Sequence, residues 1–464
     1  MAAEPKEDTR KAIRDPIHGL IARRPKEIRL MNTHVFQRLR RIRQLAMAHL
    51  VYPGALHTRF EHCVGTMHIA GKICERLGEF DQITTDEAEI VRLAALLHDV
   101  GHGPFSHVSE YVLERHYDRE ALTNLGNRGK IHERITAQLI DGNPEIRSIL
   151  SEGERRAVVD LLREPVKRDF KHDIVSSSLD ADKMDYLLRD SYFAGVRYGS
   201  FDLDKIIDAC RVHRERGGES SFLALHHEGI YAFEQLAMAK YHMGQQVYFH
   251  RIRAITDAML VRGLTLAIRE GDTVASALFR YDNSPEFLER YLAYDDDGIL
   301  RVLVGSEQPK VQDLFGRLLE RRLFKQICEL RLQAEEVKDA VVRDRLARLE
   351  PESAEAAVLE KAIGQMLGID ADFVIVNRWS VAKPAFGSTS DRLDPEEILI
   401  LDRDDTPRKV SDFPGLSIDF KAIAESPQAI QVYAPRDHWN DPDTAPEREQ
   451  CQRAIQEIVR QPVS

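Results

Sequence analysis

An apolar run from Leu93 to Leu97 ends on His98-Asp99 and breaks at once into Val100-Gly101-His102-Gly103-Pro104. Gly101 is a natural helix stop and Pro104 cannot continue a helix, so His98 and Asp99 are expected to project from a last helical turn into a loop. A histidine and a carboxylate placed there can hold one divalent metal together; a buried carboxylate without a partner would be costly. An isolated His-Asp pair is most often a surface helix cap. Two other segments argue against that reading here, because Arg59-Phe60-Glu61-His62 and Asp182-Lys183-Met184-Asp185-Tyr186 supply further ligand types.

The surroundings read as helix. Apolar residues recur at helical spacing at Val35, Phe36, Leu39, Ile42 and Leu45, and again at Phe60, Val64, Met67, Cys74 and Leu77. The patterns predict helices over 35–45, 60–77, 85–98, 132–140, 155–162, 179–189 and a long one over 231–268. A hairpin is predicted over 210–226 with its turn at 215–220. Towards the C-terminus a charged helix at 339–349 and a helix start at 351–353 are followed by strands at 373–376, 398–401 and 430–433. The expected fold is mainly α: a helical catalytic core over 1–300 and a smaller α+β region over 301–464.

With 464 residues, 43% hydrophobic and 30% charged, the composition is globular and sufficient for two or three domains. No window reaches the roughly 18 apolar residues of a membrane helix, so no membrane association is expected. The charged segment 1–14 does not read as a secretory signal, and a cytoplasmic location is the expectation. Five scattered cysteines fit reduced, packed thiols. A net charge of −11 argues against an extended nucleic-acid surface, while leaving room for a small polyanion held by a few Arg and Lys side chains.

His62, His98, Asp99 and Asp182 form the candidate ligand set. Nitrogen and oxygen donors without thiolate suit Mn, Fe, Co, Ni, Zn or Mg, and ligand type does not choose among them. Two histidines and two carboxylates leave coordination positions open for water and a phosphoryl oxygen. His102 and His107 add proton-transfer groups, and in His132-Glu133 a carboxylate adjoins another histidine. Asp182, Tyr186 and Asp190 share one helix face at i, i+4 and i+8, with Lys183 alongside. Arg59, one turn before His62, could form bidentate bonds to phosphate.

These motifs occur in a recognisable order: Asp15-Pro16-Ile17-His18-Gly19, Phe36-Gln37-Arg38-Leu39-Arg40, Gln44-Leu45, Tyr52-Pro53-Gly54-Ala55, His57 to His62, His98 to His107, and Asp182 to Tyr186 with Arg189-Asp190. Over roughly 12–255 the chain resembles the HD-superfamily deoxynucleoside triphosphate triphosphohydrolases, in the branch of the SAM-and-HD-domain dNTPases and their bacterial homologues. The resemblance implies a helical HD domain at about 57–190 and a reaction that cleaves dNTPs into deoxynucleoside and inorganic triphosphate. It implies metal on His62, His98, Asp99 and Asp182, phosphate contacts from Arg59, Lys183, Tyr186 and Lys240, and His102, His107, His132 and Glu133 at the reaction centre. Gln44, Leu45, Asp190 and Tyr248 would read the sugar and base.

The resemblance also implies a nucleotide effector at Gln37 and Arg40, and a homo-oligomer, dimer or tetramer. Two positions depart from the pattern. Lys240 stands where the family often has arginine and lacks its bidentate geometry. Asn32 stands where an acidic side chain reads guanine, and it cannot offer a carboxylate's paired acceptors. Competing expectations are another HD-type phosphohydrolase, such as a nucleotidase or phosphodiesterase, and a catalytically silent nucleotide-binding regulator. The acidic balance and the lack of a basic, aromatic-interleaved tract disfavour single-stranded nucleic acid.

Overall fold

A computed structural model describes residues 11–117, 130–163, 165–215, 217, 220–333, 335–380, 398–413, 416, 428–435 and 445–460. The architecture is mainly α-helical, with small sheets at the N-terminus, beside the helical core and in the C-terminal region. Helix Arg59–Gly78 begins at a capping box in which the Thr58 N–H donates to Glu61 at 3.0 Å. Helix Thr85–Leu97 starts the same way on Thr84 and Glu87. Helix Ala181–Ala194 takes Asp180 as its cap, through a 2.6 Å bond from the Lys183 N–H, and ends on left-handed Gly195. Arg59–Gly78 packs between the other two, burying Phe60, Val64, Met67, Leu93, Leu96, Met184 and Leu187. Helices Ile131–Gly142 and Glu152–Leu162 also fall where the periodicity places them.

Two helical expectations are corrected. The 35–45 segment is a short helix, His34–Arg38, and one 3-10 turn, Leu39–Arg41, after which the chain is extended at Ile42. Arg43 there bridges to Thr58, and the Gln44 N–H donates to the His57 carbonyl at 3.0 Å, so backbone pairing draws the chain out of helix. The long 231–268 helix is two helices, Ile230–Met243 and Arg251–Arg269. Between them lies the π-helical turn Gly244–Tyr248, and His250 caps the second helix by accepting from the Ile252 N–H at 3.2 Å. Such a π-turn frequently marks a functional position.

The predicted hairpin forms, Cys210–Arg214 against Ser221–His226. Strand Leu399–Leu401 joins it in parallel and Pro407–Lys409 pairs antiparallel with that strand, giving a four-stranded sheet beside the helical core. A second, antiparallel sheet has Gln428–Ala434 between Lys325–Arg331 and Ile375–Ser380. Strand alternation divides two cores: Ile375 and Tyr433 enter the large cluster, while Val376 and Val432 join a smaller one. Helices Ala340–Ala347, Ala354–Leu367 and Ala445–Arg460 close that smaller core. Residue 300 lies inside helix Asp296–Val304, helix Pro309–Leu319 packs on Arg251–Arg269, and the smaller cluster begins at Ile327. All five cysteines are buried and unpaired. No helix among the described residues is long and apolar enough to cross a membrane.

Candidate metal centre and active site

The helices converge their ends. His62 sits in the first turn of Arg59–Gly78, His98 and Asp99 at the end of Thr85–Leu97, and Asp182 in the first turn of Ala181–Ala194. His62 Nε2 lies 2.8 Å from Asp182 Oδ1 and 3.8 Å from Asp99 Oδ2. His98 Nε2 lies 3.4 Å from Asp99 Oδ1 and 3.6 Å from Asp182 Oδ1. His98 Nδ1 donates to the Ala95 carbonyl at 2.8 Å, leaving Nε2 buried, without a hydrogen-bond partner and aimed at the acids.

This donor set fits a divalent cation. Burial works against the charges of Asp99 and Asp182, but Arg59 and the facing histidines hold both carboxyls well below the usual range. Burial likewise opposes the His62 cation, yet its bonds to Asp182 and Asp185 outweigh this and push it up to about 10. The pocket therefore favours positive charge, which a metal supplies in place of the proton. Asp99, His102 and His132 form a second compact group. The His102 and His132 rings stack 4.0 Å apart at 19°, so their in-plane lone pairs do not converge on one ion.

The loop after Asp99 is tightly built. A Cβ on Gly101 would stand 2.3 Å from the His132 carbonyl oxygen, so only glycine allows this approach to helix Ile131–Gly142. Phe105 and Ser106 have positive φ, 64° and 52°. They are held by Asp296, which accepts from the Phe105 N–H at 2.8 Å, and by Ser106 Oγ, which donates to the Arg43 carbonyl and accepts from Arg59 Nε, both at 2.8 Å. This turn delivers His107 to the start of helix His107–His116.

His102, His107 and His132 come together as expected, the His102 and His107 rings 5.3 Å apart. Their carboxylate is a correction: Glu133 accepts from the Lys130 N–H at 3.1 Å in a helix cap, and Glu110 bonds His132 Nδ1. Glu110 Oε2 also lies 3.6 Å from His107 Nδ1. Glu110 is one turn beyond His107, and that spacing was the only sequence signal for it. Burial and Arg59 push His102 well below its ordinary value, which keeps it neutral.

Among the residues expected to contact phosphate, Arg59 pairs with Asp99, and its buried NH2 has no hydrogen-bond partner. Lys183 Nζ lies 2.9 Å from Asp180. Tyr186 is half-buried, its ring 6.1 Å from that of Tyr248 at 73°, and Lys240 is half-buried on helix Ile230–Met243. Among the residues expected to read the sugar, Tyr248 OH donates to Asp190 Oδ2 at 2.7 Å, and His57 Nε2 bonds Asp190 Oδ1 at 2.7 Å. His57 stacks on Phe193 at 4.7 Å and was not singled out from sequence. Leu45 is buried, and the buried Gln44 Oε1 has no hydrogen-bond partner. Away from these groups, Arg40 Nε donates to Gln37 Oε1 at 2.9 Å, and Gln37 Nε2 donates to the Met31 carbonyl at 2.6 Å.

Known proteins are similar to this chain. The HD domain model matches residues 59–190 and the HD associated region matches residues 201–391. The uncharacterized protein YwfO of Bacillus subtilis is 34% identical over 68% of this chain and 72% of its own length. Human SAMHD1, a deoxynucleoside triphosphate triphosphohydrolase, is 29% identical over 69% of this chain and 55% of its own. An uncharacterized protein of Methanocaldococcus jannaschii is 36% identical over 56% of this chain and 50% of its own. The chain thus spans about half the length of the latter two. A solved phosphohydrolase of Bacteroides thetaiotaomicron superposes with a TM-score of 0.68 at 26% identity, covering 92% of this chain and 100% of that one.

The chain belongs to the HD superfamily of metal-dependent phosphohydrolases. Within it, the chain is similar to the SAMHD1 triphosphohydrolases, with 28% identity to the Dictyostelium discoideum homolog over 71% of this chain and 62% of that one.

Proposed function

We propose that the protein hydrolyses deoxynucleoside triphosphates to deoxynucleoside and inorganic triphosphate. The observation that carries this reading is the 2.7 Å bond from Tyr248 to Asp190. Asp190 follows Asp182 by two helical turns on one face, a rise of about 12 Å that suits a nucleoside reaching from sugar to α-phosphate. Asp190 keeps lone pairs for a 3′-hydroxyl, and the Tyr248 ring beside it would crowd a 2′-hydroxyl.

In the reaction a water oxygen bonds to the α-phosphorus and gives up a proton, the bond to the 5′ oxygen breaks, and that oxygen takes up a proton as it leaves. His62, His98, Asp99 and Asp182 would hold the cation, which when bound supplies Lewis-acid stabilisation of phosphoryl charge. Arg59 NH2, Lys183, Tyr186 and Lys240 bind the phosphate tail. Glu110 orients His132 through its bond to Nδ1, so His132 donates the proton to the 5′ oxygen, with His102 and His107 beside it.

Gln37 and Arg40 form a second nucleotide position, where Asn32 lowers the preference for guanine, and the active form is a homo-oligomer. The test is incubation of the protein and Mn²⁺ with separate dNTP, NTP, dNMP and cyclic-nucleotide pools. Triphosphate release confined to dNTPs supports the reading. Turnover only of monophosphates or cyclic nucleotides supports the rival phosphohydrolases, and binding without turnover supports a silent regulator.

A further inference from the structure

Asp185 and Arg189 are wholly buried on helix Ala181–Ala194, and the Asp15-Pro16-Ile17-His18-Gly19 segment of the N-terminal hairpin packs onto them. Asp185 Oδ2 bonds His62 Nδ1 at 2.9 Å, on the ring edge away from Nε2 and the other ligands. Arg189 grips the same carboxylate with both prongs, Nε to Oδ2 at 2.8 Å and NH2 to Oδ1 at 2.9 Å. His18 Nε2 completes it on Oδ1 at 2.7 Å. The third nitrogen of Arg189 donates to Asp15 Oδ2 at 2.8 Å. Asp15 Oδ1 in turn caps the hairpin turn, accepting from the N–H groups of Ile17 and His18 at 2.8 and 2.9 Å.

The array has no slack. A Cβ on Gly65, three residues after His62, would stand 1.9 Å from Asp185 Oδ1 and 2.5 Å from Arg189 NH2. Two carboxylates and one guanidinium leave one net negative charge behind the imidazole. An acceptor fixed on Nδ1–H sets the tautomer that presents the Nε2 lone pair, and such outer partners of a ligating histidine are typically worth 10–100-fold in metal affinity.

We propose that Asp185, braced by Arg189, Asp15 and His18, is the positioning residue of His62, and that the N-terminal hairpin is thereby a structural part of the metal centre. The proposal rests on the ligand set assigned above. Buried ion pairs can also serve the fold alone, and the molecule carries its own control for that role. Glu27 on helix Pro25–Met31 is gripped by Arg92 through bonds of 2.6 and 2.9 Å, also buried and also tying an N-terminal element to the core.

The test uses the metal-depleted full chain, titrated calorimetrically with Mn²⁺ alone and followed by visible absorption with Co²⁺ alone. Asp185→Asn is expected to weaken Mn²⁺ binding 10–100-fold and to alter the Co²⁺ spectrum. Asp15→Asn and His18→Gln, which leave Asp185 in place and are the fallback if Asp185→Asn does not fold, should weaken binding by smaller factors. Glu27→Gln should lower the melting temperature with Mn²⁺ affinity unchanged. Equal loss of affinity in Glu27→Gln and the Asp185-side variants, or unchanged affinity in the latter, overturns the brace. His98→Ala separates the two claims: if it abolishes binding while Asp185→Asn does not weaken it, the ligand set stands and only the brace fails. If His98→Ala also leaves binding intact, the ligand set itself is wrong.

Discussion

Tyr248 and Asp190 meet across two helical segments through a 2.7 Å hydrogen bond. Burial and the Asp190 charge push the Tyr248 phenol well above its ordinary value, so it stays a donor at neutral pH. The pair is read as the sugar gate. Tyr248→Ala is expected to admit ribonucleotides, raising the NTP-to-dNTP ratio of kcat/KM at least tenfold, on the order of the 1–3 kcal/mol that steric exclusion supplies. Steady-state kinetics on matched dNTP and NTP pairs checks this, and an unchanged ratio removes Tyr248 from sugar selection.

Glu110→Gln keeps the size of the side chain and removes the charge behind His132. The expected outcome is a kcat fall on the order of 10²-fold with KM little changed, since orientation of His132 acts on the proton-transfer step. Glu133→Gln serves as comparison, because Glu133 caps its own helix at Lys130. Larger kinetic loss in Glu133→Gln would restore the pairing predicted from adjacency.

Asp296 accepts from two backbone N–H groups, those of Phe105 and Arg43 at 2.8 and 2.9 Å. Asp296→Ala leaves the buried Phe105 N–H and the part-buried Arg43 N–H without their acceptor, an expected cost of about 1–3 kcal/mol for the buried one. It should also release the strained Phe105-Ser106 turn that places His107. Urea unfolding and kcat should fall together; a stable variant with lowered kcat alone would show that Asp296 acts on the site only.

Glu360 and Glu352 share the single guanidinium of Arg262, at 2.6 and 2.8 Å, joining the C-terminal region to helix Arg251–Arg269. Burial, with Glu352 adding and Arg262 opposing, pushes Glu360 from its ordinary 4.5 up to about 7. The folded chain therefore binds more protons than the unfolded chain between those values, and stability falls as pH rises through that window. Wild type should lose on the order of 2 kcal/mol relative to Glu360→Gln between pH 4.5 and 7, with the remaining loss levelling off above that pH. Melting temperatures across that range decide it; a constant offset contradicts the assignment.

Much of this was legible in sequence because it is local. Helical spacing located the three helices that carry His62, His98, Asp99 and Asp182, and capping residues at Thr58, Thr84 and Asp180 set their starts. What escaped depends on distant pairing. His57 finds Asp190 across 133 positions and His18 finds Asp185 across 167, so neither bond leaves a trace in spacing. The 35–45 pattern kept its helical period, yet tertiary pairing of Arg43 with Thr58 overrode it. The break near His250 was hidden for a similar reason, since Gly244–Tyr248 stays helical and buries Val247 while its backbone shifts to π-helical bonding.

Separation of the products formed from one dNTP with Mn²⁺, by wild type and by His98→Ala/Asp99→Ala, tests the proposed activity most directly. Deoxynucleoside and inorganic triphosphate in equal amounts from wild type, with at least a 10³-fold loss in the double variant, is the expected result. Monophosphate or diphosphate products from wild type, or undiminished turnover in the double variant, would contradict it.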